Sequence, residues 1–365
     1  MSLVEDEFME VMNPRLPAFE QYAPYLKLID KTRIYTNRGP LVKLLEKRYS
    51  EKLGYSNSDL VVLCTSATVA IQGFLQISDA TTWHVPSFTF AGTVQAALQS
   101  GKKIILEDIE SNTWLIATRL LEDQNEEGVL PVLPFGAPFE AQSFAHLKHV
   151  LIDAAASIGG AKNWINEIKP YWAAVFSLHA TKSFGIGEGG LIIFGSKDMA
   201  DKFRTWINFG FYGSRESLII GTNGKMSEIQ AAVGLSVLDN WNQEDIDWKK
   251  SREAADHIST EFGLSPTPTI QIGCTSPYWI IFNENPRVIE RIESESKKLN
   301  IQTRKWWAHG CHLMPAFSAF KNSSLHFADT EYIASRYLGL PFYREISSME
   351  LSRIISALKN AQSIN

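Results

Sequence analysis

An α/β domain built on a mostly parallel sheet, followed by a smaller α/β layer, is the fold class this sequence predicts. Three observations predict it. Between about residues 40 and 195, short apolar runs alternate with amphipathic stretches, the pattern of buried strands joined by crossover helices. From Met226 onward the chain turns helical and charge-rich. The length of 365 residues suggests two units, at roughly 100–200 residues per domain.

Taken in order, the first forty residues read as a strap laid on the main body. Pro40, favoured in a first helical turn, opens a helix over Leu41–Leu53. The runs Leu60–Leu63, Thr82–Val85, Lys103–Leu106, Val129–Leu133, Val150–Ile152, Ala173–Phe176 and Leu191–Phe194 are apolar enough for strands buried on both faces. Helical patterns over Ala67–Gln76 and Phe90–Gln99 separate some of them. A helix from Met226 to Trp241 continues as a polar run to about Glu261, and Gly263, Pro266 and Pro268 then break it. This places a strap and large domain in residues 1–245 and a small C-terminal domain in residues 246–365. The small domain is expected to hold a strand (Tyr278–Phe282), a helix (Arg287–Leu299), a Trp-rich loop (Trp306–Pro315) and a last helix (Met349–Ala361).

Composition removes several classes. Hydrophobic residues make up 45% and charged residues 21%, ordinary for a globular chain. Thirty-five basic against forty acidic residues, with no basic block, argues against a nucleic-acid partner bound through its phosphates. No run approaches the ~18 apolar residues of a membrane span. The opening MSLVEDEFME lacks the basic-then-apolar order of a signal peptide. Cys64, Cys274 and Cys311 lie far apart, which speaks for a reducing compartment, so a cytoplasmic location is expected.

Ligands of such sheets sit beyond the carboxyl ends of strands, and four strand ends carry chemistry. Lys182 follows the strand ending near Ser177; a lysine desolvated there forms Schiff bases, though an exposed loop lysine is the commoner case. Asp153 ends another strand before three alanines; its carboxylate suits a protonated ring nitrogen, or an ordinary helix cap. Thr65 and Ser66 lead into a helix, as a phosphate seat or as plain capping residues. Phe90 follows a strand end, placed to stack on a flat ring or to fill the core. Gly185, Gly187 and Gly190 match G-x-G-x-x-G, but a strand-like run follows instead of a helix, so a tight turn beside a ligand replaces the dinucleotide reading. His309, Cys311 and His312 lack a second ligand cluster, and no metal is expected. A G-x-S-x-G hydrolase elbow is missing.

A Schiff-base lysine, a strand-end aspartate, a phosphate seat and a stacking aromatic together suit pyridoxal 5′-phosphate. The chain resembles the DegT/DnrJ/StrS family of pyridoxal-phosphate sugar aminotransferases in six ordered blocks. They are Thr36–Val42, Thr65–Ala67, Val85–Phe90, Asp153–Ala155, Ser177–Gly190 and Gly221–Ala232. Asn208–Phe211 and Gly310–His312 look most like the branch making 4-amino-4,6-dideoxy nucleotide sugars. The resemblance implies fold type I, the aspartate-aminotransferase type: a large domain with a mixed seven-stranded sheet and a small C-terminal α/β domain.

It also implies that Lys182 is the catalytic Schiff-base lysine, that Asp153 pairs with the pyridine nitrogen, and that Thr65, Ser66 and Ser177 hold the phosphate. Phe90 would stack on the ring, and Asn223 and Lys225 would reach a neighbouring subunit's phosphate in a homodimer with shared sites. His312 would border the substrate. Arg38 and Ala156, where the family usually has glycine and Gln or His, imply a differently shaped pocket lined by Arg38. The expected reaction moves an amino group, from glutamate or another amino acid, to a keto sugar, expected to be a nucleotide-linked 4-keto-6-deoxyhexose. Alternatives are a non-nucleotide keto sugar, an elimination, or a non-catalytic sensor.

Overall fold

The computed structural model describes residues 8–117, 126–266, 275–320 and 326–363. Met1–Glu7, Cys274 and Pro268, on which part of the sequence reading rests, lie outside them. Seven strands form the main sheet: β1 (Val61–Cys64), β2 (Thr82–Pro86), β3 (Lys103–Glu107), β4 (Glu127–Val129), β5 (His149–Asp153), β6 (Trp172–Ser177) and β7 (Gly190–Phe194). Their order is β1-β7-β6-β5-β4-β2-β3. β7 runs antiparallel to both β1 and β6, and the other pairs are parallel. The sheet is therefore mixed, whereas alternation alone suggested a mostly parallel one; apolar runs report burial, not strand direction.

Local chemistry explains the helices around it. α1 (Phe19–Thr32) lies within the expected strap and packs on α6. α2 (Pro40–Leu53) has Pro40 at its start and Gly54 in the left-handed cap, with φ of 68°, a position where a side chain is costly. α3 (Ala67–Ile77) is capped by the Ser66 hydroxyl, which accepts from the Val69 N–H at 3.2 Å. α4 (Ala91–Gln99) begins directly after Phe90. α5 (Lys197–Trp206) is capped by Ser196.

α6 (Glu228–Glu261) spans 34 residues behind a Ser227/Gln230 capping box. The expected boundary at 245/246 falls inside it. Leu235, Leu238 and Trp241 on its first half pack into the core on one face of the main sheet, while Ala255 and Ile258 on its second half pack into a separate cluster. One rigid helix thus serves two cores. The second core lies against a three-stranded sheet of β8 (Ser265–Pro266), β9 (Trp279–Phe282) and β10 (Tyr337–Leu340), with β9 central. α7 (Pro286–Lys298), α8 (Ala328–Ala334) and α9 (Ser348–Ser363) complete this layer.

The run Val129–Leu133 is a strand only as far as Val129; beyond it a single bridge joins Val132 to Asp153. Pro131 supplies no N–H to a ladder there. Residues 9–12 tie the strap to the small layer. Met9 bridges to Ile301, and the Phe342 N–H donates to the Val11 carbonyl at 3.1 Å. No described helix is long and apolar enough to cross a membrane.

Candidate active site

β5 and β6 end side by side, with Asp153 in register with Val175. Beyond their carboxyl ends lies a cavity of about 450 Å³. Ser66, Phe90, Asp153, Ser177 and Lys182 all line it. Elements that are separate in sequence thus bring five of the predicted residues together.

Lys182 sits on an excursion between β6 and β7 that closes on itself. The Leu178 N–H donates to the Gly189 carbonyl at 2.9 Å, Ala180 N–H to Gly187 at 2.8 Å, and Ile186 N–H to Leu178 at 2.8 Å. Gly187 turns the chain with φ of 101°, a region that favours glycine. Gly190 allows β7 to pass the start of α3: a Cβ there would stand 2.4 Å from the Ser66 carbonyl carbon. Phe184 also has a positive φ, 61°, which costs about 1–3 kcal/mol. Its ring stacks on Trp241 at 3.5 Å and 4° between planes. Burial of such a ring is worth about 1.5–3 kcal/mol, with about 0.5–1.5 more for the pair, so packing outweighs the strain and holds the turn beside Lys182. The Lys182 Nζ donates to the Tyr278 hydroxyl at 2.6 Å and lies 5.0 Å from its ring centre.

Asp153 is 4% exposed. No α-helix follows it. Its carboxylate accepts from the Thr93 hydroxyl at 2.7 Å and from the Ala155 N–H at 3.1 Å. Burial raises its pKa, while these two bonds and the Lys182 charge pull it down without cancelling the rise. Such a carboxylate gains from a cation placed against it. At the opening of α3 the first-turn amides have no preceding helical carbonyl to bind, which makes an anion seat.

The remaining predicted residues stand elsewhere. Thr65 precedes the seat, its N–H donating to the Gly224 carbonyl at 2.9 Å. Asn223 bridges to Asn208 and Lys225 to Cys64 along the same edge. The Lys225 Nζ is buried, lies 4.4 Å from the Phe209 ring centre, and has its pKa lowered by that burial. Arg38 pairs with the buried Glu46 at 2.8 Å and is not among the described residues lining the cavity. His312 is also absent from that lining. Its Nδ1 meets the Ser87 hydroxyl at 2.6 Å, its Nε2 meets Glu331 at 3.2 Å, and its ring stacks on Phe327. Ala156 does line the cavity. Phe90 is 61% exposed, at the rim.

Sequence reasoning missed Thr93, Tyr278, Arg304, Trp306 and Trp307, all of which line the cavity. Thr93 lies three residues beyond Phe90, one helical turn, so the spacing held a signal. The Trp-rich loop stood out but had no assigned place. An amine, a buried carboxylate and helix-terminal amides around one cavity can hold a molecule carrying an aldehyde, a basic ring nitrogen and a phosphate.

This cavity, at the carboxyl edge of a mixed seven-stranded sheet, is that of a fold type I pyridoxal-phosphate enzyme. The chain belongs to the DegT/DnrJ/EryC1/StrS aminotransferase family, whose sequence profile matches residues 20–359. It is similar to the dTDP-4-amino-4,6-dideoxy-D-glucose transaminase of Shigella dysenteriae, 29% identical across 96% of this chain and 98% of that one. A crystal structure from Bacillus cereus, described as a PLP-dependent aminotransferase, superposes with a TM-score of 0.86 at 25% identity, covering 97% of this chain and all of the other. The structure of DesI with its TDP-sugar product superposes at 0.82 with 23% identity, covering 98% and 94% of the two chains. The chain is a pyridoxal-phosphate-dependent aminotransferase.

Proposed function

We propose that this enzyme moves an amino group from an amino acid, with L-glutamate the expected donor, to the keto carbon of a nucleotide-linked 4-keto-6-deoxyhexose. The observation that carries the proposal is the joint lining of one cavity by Lys182, Asp153 and an aromatic wall of Phe135, Tyr278, Trp306 and Trp307. The donor set fits pyridoxal phosphate: Lys182 for its aldehyde, Asp153 for its ring nitrogen, and Ser66, Ser177 and the opening of α3 for its phosphate. When bound, the cofactor supplies an electron sink for the carbon that loses its proton. Asp153 would stabilise a protonated ring nitrogen placed against it. The Lys182 amine would take the proton from the donor carbon and later deliver one to the sugar carbon.

The aromatic wall suits the apolar face of a deoxysugar. Phe135 and Trp307 stack at 4.4 Å, and Tyr278 meets Trp306 edge-on at 4.9 Å. Arg304 is held through paired backbone bonds to Gly339 at 3.0 and 2.8 Å and leaves its side chain exposed beside Trp306. As a permanent cation on the lining it supports an acceptor that carries phosphate. Shared sites in a homodimer are part of the same proposal. The exposed Leu218, Ile220 and Ile229 flank the segment of Asn223 and Lys225, a clustering of apolar groups that a second copy would cover.

The test is a visible spectrum with and without glutamate, followed by an acceptor panel. We expect the yellow protein to bleach with glutamate and to recover its colour with a dTDP-4-keto-6-deoxyhexose, but not with the free sugar. Equal recovery with the free sugar overturns the nucleotide reading. Arg304→Ala is expected to raise the half-saturating concentration of the nucleotide sugar about tenfold or more. In solution the mass is expected to be that of a dimer, and Ile220→Glu to shift it toward monomer.

A further inference from the structure

We propose that Tyr278 is a positioning residue for Lys182: its hydroxyl holds the free lysine amine in the orientation from which that amine attacks and carries protons. The inference rests on Lys182 being the reactive lysine and needs no choice of sugar.

To attack and to carry protons, Lys182 must act as a free amine. In that state nothing covalent holds a four-carbon side chain, which has about 2 kcal/mol of rotamer freedom. The Nζ donates to the Tyr278 oxygen at 2.6 Å and lies 5.0 Å from the ring centre. The 5.0 Å separation from the ring centre follows from that bond, and the phenol meets the amine through its oxygen. The bond moves no proton.

Tyr278 is itself held rigidly. It is 6% exposed, and its ring sits edge-on against Phe135 at 5.4 Å and Trp306 at 4.9 Å. Its N–H donates to the Ser276 hydroxyl at 3.3 Å, and that hydroxyl donates to the Phe135 carbonyl at 2.7 Å. Its own carbonyl accepts from the buried guanidinium of Arg252 on α6. The small layer therefore brings a fixed phenol to an amine 96 residues earlier in the chain.

Tyr278→Phe removes the oxygen and keeps the ring. Cofactor-free protein is mixed with pyridoxal phosphate, and the rise of yellow absorbance is followed by stopped flow. We expect capture to slow about tenfold, with the same final occupancy and an unchanged melting temperature. In the glutamate half-reaction the maximal rate should fall by a similar factor at unchanged half-saturation.

Trp279→Phe is the packing control. It loosens the same strand, where the Trp279 indole donates to Ser259 at 2.9 Å, without touching the lysine. It should lower the melting temperature and leave capture at the wild-type rate. Capture by Tyr278→Phe at the wild-type rate overturns the proposal, as does equal slowing by Trp279→Phe. Capture is read without any sugar, so failure of the nucleotide-sugar reading leaves this result unaffected.

Discussion

Two buried titratable groups on the same sheet are treated in opposite ways. His84, in the middle of β2, meets Glu107 through Nδ1 at 2.7 Å and Glu127 through Nε2 at 3.1 Å. Burial pushes its pKa down, but the two carboxylates outweigh burial and the net shift is upward. Asp153, at the carboxyl end of β5, has two neutral donors and only the Lys182 charge nearby, and burial prevails. At His84 the fold supplies the buried group with two counter-charges; at the cavity it leaves a carboxylate costly until a cation arrives. Binding sites are where such uncompensated groups concentrate.

The largest effect is expected at Lys182. Lys182→Ala is expected to lower the glutamate half-reaction by about 10³-fold or more and to abolish the yellow absorbance of covalent capture, both read by single-turnover spectroscopy. Retained transamination in that variant would sink the assignment of the site.

Asp153→Asn sharpens the contrast. Removing a charge that burial disfavours is expected to raise the melting temperature of the cofactor-free protein by about 2–4 °C, as about 1 kcal/mol does in a domain of this size. The same substitution should slow the glutamate half-reaction by about 10²-fold or more. The sign with pH follows from the raised pKa. The folded protein binds this proton more tightly than the unfolded chain, so this group's contribution falls as pH rises from the ordinary aspartate value, about 3.9, through the raised one. A stability loss in Asp153→Asn at neutral pH would show that its two hydrogen bonds outweigh burial.

His84→Gln should have the smallest effect. The raised pKa of His84 means that its stabilisation is complete below about 6.5 and is lost as pH rises through the folded value. Denaturant midpoints at pH 6 and pH 9 should therefore differ more in the wild type than in the variant. At pH 6 the variant should lose about 1 kcal/mol, since two carboxylates lose their shared partner. Equal pH dependence in the two proteins would assign the effect to other groups.

Much of this fold is legible in local sequence signals. Strands at Thr82, Lys103 and Leu191 and helices at Ala67 and Arg287 begin within a residue or so of the expected positions, because apolar runs, Ser66 and Pro286 are local signals. α1 and α5 lie outside the elements that the apolar pattern predicts, although the Ser196 cap of α5 is a local helix-start signal. The site divides in the same way. Asp153 ends a strand and Ser66 and Lys182 follow one, and strand ends converge on one edge of an α/β sheet.

Sequence by itself determined which residue types stand at those ends, and with them the family and the cofactor chemistry, since both lie in short contiguous blocks. Only tertiary structure decided what faces them. Tyr278, Arg304, Trp306 and Trp307 come from the small layer, and Tyr278 and Trp307 pack into one core with Phe88 and Phe135 of the main body. No local pattern encodes the meeting of a phenol with an amine 96 residues away; it exists only once the small layer has packed on the main sheet's core.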